Sequence, residues 1–575
     1  ENSKADLYLL ASKITRAAGD TTQAIKYAQK GITAFGTTQE SAGASLLHAQ
    51  HRALVADIYR SLIQPDQAFN IIQAGPAASV TDFTNKQDYL DFICLHTELA
   101  LETGNQVRSD FQDLQLDTAD PYFPRLMAIK ARLMNKAGNY KQAEQILQLA
   151  LKSISNLEGP GSLPAWSASY SKYLAMNSIV EAALDLGAWE QAMNGSECII
   201  ESSPDEPWSH LNLARSLVLK AEFYNLCEVF GVSKHKPSAD SISKQTYCQF
   251  MQYIDKLRTV LDPYKAELIT KDYELTEDQI YRWQSRAEIA FGQIEESHCE
   301  PCEILVNHRI PGDAAAMIVH LHQLDLADHS SDAVTRIIKI ARSYPRNPAV
   351  LLQVALAIQD ENPADAMKSL QSVLEQNPSS KGPTIAFINI LLAKIALSQG
   401  EFDTALQAAE TALEFWYDEP DWHILAAEIC KRNSDITAAI SHLLEAIKLA
   451  PKTITYHMQL GKIYFENASD DAHMLRQAGK TFENALSLDG ENVSALVLLA
   501  NAQYQLNDPS SAEANARKAL LLAPDRADIN LLLSEVAIRN NDYQGAYEYA
   551  NQAIQLNPKD IQAGIILARS LAALG

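Results

Sequence analysis

The chain contains no continuous apolar run that approaches the roughly 18 residues of a membrane-spanning helix. It also lacks the short motifs that position nucleotides, metals or nucleophiles, such as Gly-x-Gly-x-x-Gly, a Walker-type loop, Gly-x-Ser-x-Gly and His-Glu-x-x-His. No set of nucleophile, base and orienting group can be assembled from the residues that are present. These absences argue against direct membrane insertion. They predict a protein that is not an enzyme, with no catalytic residues and no cofactor.

Positive charge is scarce as well. The 575 residues include 48 Lys and Arg against 71 Asp and Glu, which gives a formal net charge of −23. Nucleic acids and anionic membrane surfaces are bound mainly through clusters of Lys and Arg. We therefore expect no nucleic-acid partner. An acidic balance is most often a solubility device, although it also suits a basic partner.

Cysteine is sparse and follows no framework spacing, with seven residues in the whole chain. An odd, irregular set does not suit a disulfide-stapled secreted domain. Cys94, Cys198, Cys248 and Cys430 lie among apolar helical residues, where a buried free thiol acts as a small hydrophobe. The pattern predicts a cytoplasmic location. A periplasmic location would follow if a signal peptide had been removed.

One close pair of cysteines, Cys299 and Cys302, is a weak candidate for a metal site. Two thiols three residues apart can share a tetrahedral metal or take part in redox chemistry. A zinc site normally needs a second such pair, and no strand pattern surrounds this one. His320 and His322 point to different faces of a helix. We therefore interpret Cys299 and Cys302 as part of a loop between repeats and expect no metal.

What the sequence does contain is a repeat of 34 residues. Three alanines and a closing proline recur at this offset, first as Ala512, Ala516, Ala519 and Pro524 and then as Ala546, Ala550, Ala553 and Pro558. Earlier units carry the same triplet as Ala405, Ala409 and Ala412, as Ala439, Leu443 and Ala446, and as Ala478, Phe482 and Ala485. A fixed period in this range indicates a solenoid of stacked units.

The spacing within a unit predicts two helices. A first stripe such as Leu533, Ser534 and Ala537 is followed by a turn at 541–542 and then by the alanine triplet. Offsets of three, four and seven place each set on one face of a helix. The closing proline or glycine stops the second helix, because proline lacks the N–H that a helix interior needs. One hairpin cannot bury both of its apolar faces, so the units must stack.

These residues resemble the tetratricopeptide repeat family. The matches are clearest at Leu460-Gly461 with Tyr464, at Gly400-Glu401-Phe402-Asp403 and at Asn541-Asp542-Tyr543. N-terminal copies share the grid at Ala11, Ala24 and Ala28, at Ala56, Ala68 and Ile72, at Ala131, Ala143 and Ala150, and at Val180, Trp189 and Ala192. The resemblance implies an all-α fold, a right-handed superhelical solenoid of stacked antiparallel helix hairpins.

The grid divides the chain into three regions. Residues 1–206 are predicted to form an N-terminal array, residues 207–312 an irregular helical middle region and residues 313–575 a C-terminal array. We expect the last array to continue beyond the chain end. The middle region is interpreted as degenerate repeats with longer helices, interrupted at the acidic link 272–278. An alternative is a hinge or an insertion that divides two arrays.

The resemblance implies that the first helix of each unit lines a concave groove. Residues three before, one after and five after the small residue of that helix would point into it. The candidate partner-binding residues are Ile390, Lys394, Ile424, Glu428, Arg432, Met458, Lys462, Val497, Asn501, Glu535 and Arg539. An apolar floor with alternating charges suits an amphipathic helix or an extended segment. Alternatively, some of the apolar residues pack between neighbouring units.

Chaperone-binding members of the family hold a C-terminal carboxylate with paired lysine and asparagine residues. The corresponding lysine positions are apolar here, so this half of the chain lacks that clamp. The function that follows is a non-enzymatic scaffold that binds a partner protein, or another domain of the same polypeptide, in the groove. One alternative is the sensor or regulatory half of a larger multidomain enzyme. Another is a periplasmic scaffold of a secretion or polysaccharide-export assembly.

Overall fold

The structure is a computed structural model of the chain, and it is helical almost throughout. It describes residues 2–18, 20–34, 49–74, 83, 86–137, 139–154, 165–232, 244–265, 270–291, 315–319, 321, 331–344, 347–376, 382–469 and 471–575. Within these ranges the chain forms helices and the turns between them, and no β-strand occurs. No helix in the same ranges is long and apolar enough to cross a membrane.

The N-terminal helices pair mostly in the order in which they follow one another along the chain. They are α1 (Asn2–Ala17), α2 (Thr21–Ala34), α3 (Ala49–Ser61), α4 (Pro65–Gln73), α5 (Lys86–Glu102), α6 (Ser109–Gln112), α7 (Phe123–Lys136), α8 (Tyr140–Ile154), α9 (Ala165–Asp185), α10 (Trp189–Ser202), α11 (Pro207–Phe230), α12 (Lys244–Lys265) and α13 (Thr270–Ala290). Helices α1 and α2, α3 and α4, α7 and α8, α9 and α10, and α11 and α12 pack as hairpins.

The C-terminal helices continue the same arrangement. They are α14 (Ser331–Ala341), α15 (Pro348–Ile358), α16 (Pro363–Gln376), α17 (Pro383–Gln399), α18 (Phe402–Phe415), α19 (Pro420–Arg432), α20 (Ile436–Leu449), α21 (Ile454–Glu466), α22 (Ala472–Leu488), α23 (Val493–Gln505), α24 (Pro509–Leu522), α25 (Ala527–Arg539), α26 (Tyr543–Leu556) and α27 (Ile561–Leu574). From α18 onward each helix packs against the next. The predicted all-α solenoid of stacked antiparallel hairpins is confirmed.

The small residues of the repeat lie where the two helices of a hairpin meet. Each alanine of the last two triplets is fully buried. Gly461 shows why small residues are needed, because a Cβ there would lie 2.5 Å from the ring of Phe482 on α22. A helix can approach a large side chain of its neighbour this closely only when it carries a small residue at the contact. In the N-terminal half, Val180 takes the small-residue position and is fully buried as well.

The turns inside the hairpins share one design. Gly400, Ser434, Asn507 and Asn541 have positive φ values of 78°, 64°, 62° and 61°. Glycine and asparagine tolerate this left-handed conformation best. At the last three turns the next residue is an aspartate, and each aspartate accepts a hydrogen bond from a backbone N–H three residues on, as Asp542 does from Gly545 at 2.9 Å. These N-caps satisfy amide groups that the first turn of a helix leaves unpaired.

By contact between helices the chain divides into two compact units. The first comprises Glu1–Phe230 and His235–Ile388, and the second comprises Gly231–Lys234 and Asn389–Gly575. The three regions 1–206, 207–312 and 313–575 remain a prediction, since they follow the repeat pattern rather than contacts. The predicted break at 272–278 is wrong, because these residues lie inside α13. Acidic residues near the start of a helix stabilise it, so an acidic run opens a helix here.

In the first unit, five helices form a closed ring. Helix α3 contacts α5, α5 contacts α7, α7 contacts α9, α9 contacts α11, and α11 returns to contact α3. Helices α12 and α13 share one apolar core with helices of the ring, and this core includes Phe250 and Trp283. The side chain of Thr276 on α13 donates a hydrogen bond to the carbonyl oxygen of Leu62, just after α3, at 3.0 Å. The ring therefore has its own enclosed interior.

We expect the substitution Asp542→Ala to lower the free energy of unfolding by about 1 kcal/mol, because it removes an N-cap and leaves the Gly545 N–H unpaired. Urea unfolding followed by circular dichroism measures the change. Asp525→Ala, in the exposed turn before α25, is the control and should change stability by less. Equal losses in the two variants would contradict the assigned role of Asp542.

Candidate functional site

Charged side chains fill the interior of the ring in the first unit. Glu98 on α5 is fully buried. It accepts hydrogen bonds from Nη2 of Arg125 at 2.8 Å and from Nη1 of Arg60 at 3.1 Å. The hydroxyl of Ser178 on α9 also donates to it. Although burial raises the pKa of Glu98, the two guanidinium groups and these hydrogen bonds leave it below its ordinary value.

The same network continues around the ring. Glu181 on α9 accepts hydrogen bonds from Arg215 Nη1 at 2.8 Å, from the indole N–H of Trp208 at 2.9 Å and from Asn212 at 3.2 Å. Burial acts to raise the pKa of Glu181, but Arg215, Arg132 and Arg60 hold it well below its ordinary value. Arg132 in turn donates to Asp185 at 2.7 Å. The inner face of the first unit is thus occupied by its own ion pairs, which leaves few charged groups there to bind a partner.

We expect Glu98→Gln to destabilise the first unit by about 3–5 kcal/mol, because two buried arginines lose the carboxylate that compensates them. Urea unfolding measures the loss. Lys86→Gln is the control: Lys86 pairs with Asp120 at 3.3 Å, but its side chain is 68% exposed. An exposed pair contributes about 0–1 kcal/mol, so a comparable loss in the control would contradict the role assigned to burial.

In the second unit the first helices of successive hairpins lie side by side. Helix α21 contacts α23, α23 contacts α25, and α25 contacts α27. Each helix presents the residues six and three before, and one and five after, its small residue on one face, because these offsets follow the helical period. We call these residues the first-helix stripe. Within residues 389–575 of the second unit they are Ile390, Lys394, Ser398, Asp421, Ile424, Glu428, Arg432, Thr455, Met458, Lys462, Glu466, Ser494, Val497, Asn501, Gln505, Asp528, Leu531, Glu535, Arg539, Gln562, Ile565, Arg569 and Ala573.

The predicted apolar contact residues on this stripe differ in exposure. Ile390 and Val497 are buried and pack inside the protein. Ile424 and Met458 are half-buried, each with one side against the core of its hairpin. Leu531, the matching residue on α25, is half-buried in the same way. The stripe therefore keeps apolar surface at α19, α21 and α25, and the binding role of these residues stays a prediction.

The polar residues predicted for partner binding differ in their contacts. Arg432 Nε donates to Glu428 at 2.8 Å. Asn501 Nδ2 donates to the carbonyl oxygen of Val497 on its own helix at 2.9 Å. Lys394 and Lys462 are both exposed. Surrounding protein atoms nevertheless desolvate the amine of Lys394 and lower its pKa.

Tyr504 is a residue of this surface that the sequence pattern missed. The guanidinium carbon of Arg539 lies 3.9 Å from the centre of the Tyr504 ring. Arg539 also donates to the carbonyl oxygen of Tyr504. Glu535, one turn earlier on α25, is half-buried, and burial raises its pKa. Tyr504 lies four residues after the small residue of α23, so the sequence prediction would have included it if that offset had been counted as part of the same helix face.

A pair of histidines joins α19 to α20 and was also missed. Nδ1 of His423 lies 3.2 Å from Nδ1 of His442, and Nε2 of His423 lies 2.8 Å from the carbonyl oxygen of Tyr417. Since a carbonyl only accepts, Nε2 of His423 carries the proton and Nδ1 of the neutral ring accepts from His442. Burial lowers the pKa of both rings, and in His442 the neighbouring His423 lowers it further.

We expect the second unit to lose stability as the pH falls below about 6.5, the ordinary pKa of histidine. Both pKa values are lower in the folded state, so the unfolded chain takes up protons first and is favoured. The loss levels off once the pH passes below the folded pKa values. The variant His442→Gln removes one titrating ring and keeps an amide donor for His423, so its stability should fall less. Urea midpoints between pH 5 and pH 7 measure this, with His473→Gln, at an exposed position, as the control. If the stability of His442→Gln fell with pH as steeply as that of the parent protein, the role assigned to the two histidines would be contradicted.

Other sequence predictions concern cysteine and metal. Cys299 and Cys302 lie outside the described residues, as do His320 and His322. Among the residues that are described, no group of three or more His, Cys, Asp or Glu side chains could hold a metal ion. The expectation that all four cysteines singled out above are buried is wrong for two of them, because Cys198 and Cys248 are exposed.

Comparison with known proteins adds the following. A family model described as tetratricopeptide repeat matches residues 390–453 and 497–561. No curated protein matches the chain. A solved structure titled as the Cut9–Hcn1 hetero-tetramer of the APC/C is 13% identical, covering 99% of this chain and 96% of that chain at a TM-score of 0.42. PilF of Pseudomonas aeruginosa is 21% identical over 39% of this chain and 97% of its own, at a TM-score of 0.30. YrrB, titled a TPR protein with an unusual peptide-binding site, is 16% identical over 34% and 97%, at a TM-score of 0.29.

Proposed function

Residues 390–453 and 497–561 are tetratricopeptide repeats, and from this premise we propose that the chain is a non-enzymatic scaffold for protein–protein interaction. The partner is a segment or domain of another protein, or another domain of the same polypeptide. It binds across the first-helix stripe of the second unit, in the groove that successive first helices line.

One observation carries this proposal: the inner faces of the two units differ. In the first unit, Glu98 and Glu181 are buried and already paired with arginines. In the second unit, the stripe keeps partly exposed apolar side chains between charged ones, and at its last helix Ile565 is 49% exposed. A surface with apolar anchors and a polar surround is the usual form of a peptide-binding groove.

Composition supports the kind of partner and the compartment. A formal net charge of −23 disfavours nucleic acid, which binds through basic clusters. The cysteines of the described residues are free thiols, which supports a reducing, cytoplasmic setting. A stacked array of hairpins contributes a rigid surface, so binding orders the partner segment rather than the scaffold.

We expect Ile424→Glu combined with Met458→Glu to abolish capture of the partner from native lysate. Two carboxylates on the stripe would then have to be desolvated against the apolar anchors of the partner. The measurement is affinity capture with the purified chain, followed by mass spectrometry. The matched control is Leu444→Glu with Leu488→Glu, which changes two exposed leucines on the second helices α20 and α22.

Unchanged circular dichroism and melting must accompany the loss, because Ile424 and Met458 also pack on one side. The milder pair Ile424→Thr with Met458→Gln keeps the branched or linear shape of each side chain, and it should weaken capture while leaving melting close to that of the parent. A partner retained by both stripe variants would contradict the proposal and move the binding site to another surface.

A further inference from the structure

The first-helix stripe carries a different charge from the unit around it. Residues 389–575 contain 14 Lys and Arg and 24 Asp and Glu, a net charge of −10. The stripe contains five of each. Its cations are Lys394, Arg432, Lys462, Arg539 and Arg569, and its anions are Asp421, Glu428, Glu466, Asp528 and Glu535. The stripe is neutral, so the excess negative charge of this segment lies elsewhere on it.

The carboxylates of the stripe are compensated within the protein. Glu428 accepts from Arg432, and Glu466 pairs with Lys431 at 2.9 Å. Arg526 donates to Asp528 through Nε at 3.0 Å. Asp421 accepts a hydrogen bond from the hydroxyl of Tyr456, and Glu535 is hydrogen-bonded to Gln562 and attracted by Arg539.

Two of the five cations of the stripe have no such carboxylate partner. Among the described residues, Lys462 and Arg569 form neither an ion pair nor a hydrogen bond with a carboxylate, and both are exposed. Arg539 is also exposed. It attracts Glu535 on its own helix, and its direct contacts are with the ring and the carbonyl oxygen of Tyr504. These contacts hold its guanidinium in place, with further N–H donors available. Arg569 lies near the same tyrosine and acts to lower its pKa, as Arg539 does, although burial raises that pKa overall.

We propose that the partner segment is acidic, with carboxylates that pair with Lys462, Arg539 and Arg569 and apolar side chains that rest on Met458 and Leu531. This inference rests on the proposed function, and charge complementarity carries it. Lys462, Arg539 and Arg569 belong to α21, α25 and α27, and neighbouring packed helices lie about 8–10 Å apart. An extended chain advances about 3.3 Å per residue. In the partner segment, the carboxylates that pair with Lys462 and Arg539 would therefore lie about six residues apart. Those that pair with Arg539 and Arg569 would lie about three residues apart.

The test uses fluorescein-labelled synthetic peptides and the full chain. One probe carries three glutamates at this spacing with leucines between them, and two others carry glutamine or lysine at the same three positions. Fluorescence anisotropy should show the glutamate probe binding roughly tenfold more tightly than the glutamine probe, since each exposed ion pair contributes modestly. Its affinity should fall with added salt, because exposed charges are screened.

Charge reversal provides the matched variants. The double variant Lys462→Glu with Arg569→Glu should no longer bind the glutamate probe and should instead bind the lysine probe. Lys480→Glu with Lys518→Glu makes the same change in net charge at exposed positions of α22 and α24 and should leave probe binding unchanged. Failure of the glutamate probe to bind, or equal binding of the glutamine probe, would overturn the inference.

The partner captured from lysate separates this inference from the proposed function. Loss of that partner with Ile424→Glu and Met458→Glu, but retention with Lys462→Glu and Arg569→Glu, would keep the groove and overturn the acidic partner. Loss of the captured partner with both double variants supports the proposed function and the acidic partner segment together. Retention with both pairs would overturn the proposed function itself.

Discussion

The whole structure depends on the close approach of two helices across a stripe of small residues. A side chain larger than hydrogen at Gly461 would meet the ring of Phe482, and the alanines at the repeat positions of the second helices, from α18 to α26, are buried completely. Such a contact buries only one face of each helix, so a single hairpin leaves apolar surface that the next hairpin must cover. The left-handed turn residue and the aspartate N-cap end one helix and begin the next within a few residues. The hairpins therefore stack, because each one covers the apolar surface that its neighbour leaves exposed.

The same hairpin builds two different inner faces. In the first unit the first helices close into a ring, and Arg60 and Arg125 share the carboxylate of Glu98 inside it. Burying these charges is costly, and their mutual attraction offsets that cost only together with the multiple hydrogen bonds to each carboxylate. Loss of any one partner leaves a buried charge uncompensated and destabilises such an interior. In the second unit the equivalent positions lie on a surface, where the charges of Glu428 and Arg432 remain hydrated and half-buried apolar side chains lie between them.

This difference bears directly on function. An inner face that has already paired its charges has little to gain from a partner, whereas a surface with apolar side chains and uncompensated cations gains both burial and charge pairing. The exposed cations Lys462 and Arg569 stand out because the rest of the unit is acidic. The negative surroundings would repel the acidic segment proposed above everywhere except along the stripe, and this repulsion would specify where the segment binds.

The sequence by itself determined the hairpins, their turns and the residues buried inside them, down to Ala546 behind the turn at 541–542, because helical periodicity reports which face of a helix its neighbour covers. It also placed Ile424 and Lys462 on the face that now forms the stripe. Only the tertiary structure decided that Glu98 and Arg125 are buried together, that Ile390 is inside and that Arg539 lies on Tyr504. A charged residue on a first helix has the same pattern whether that face is open or enclosed. The outcome depends on small rotations between successive hairpins, which accumulate along the array and leave no periodic trace in the sequence.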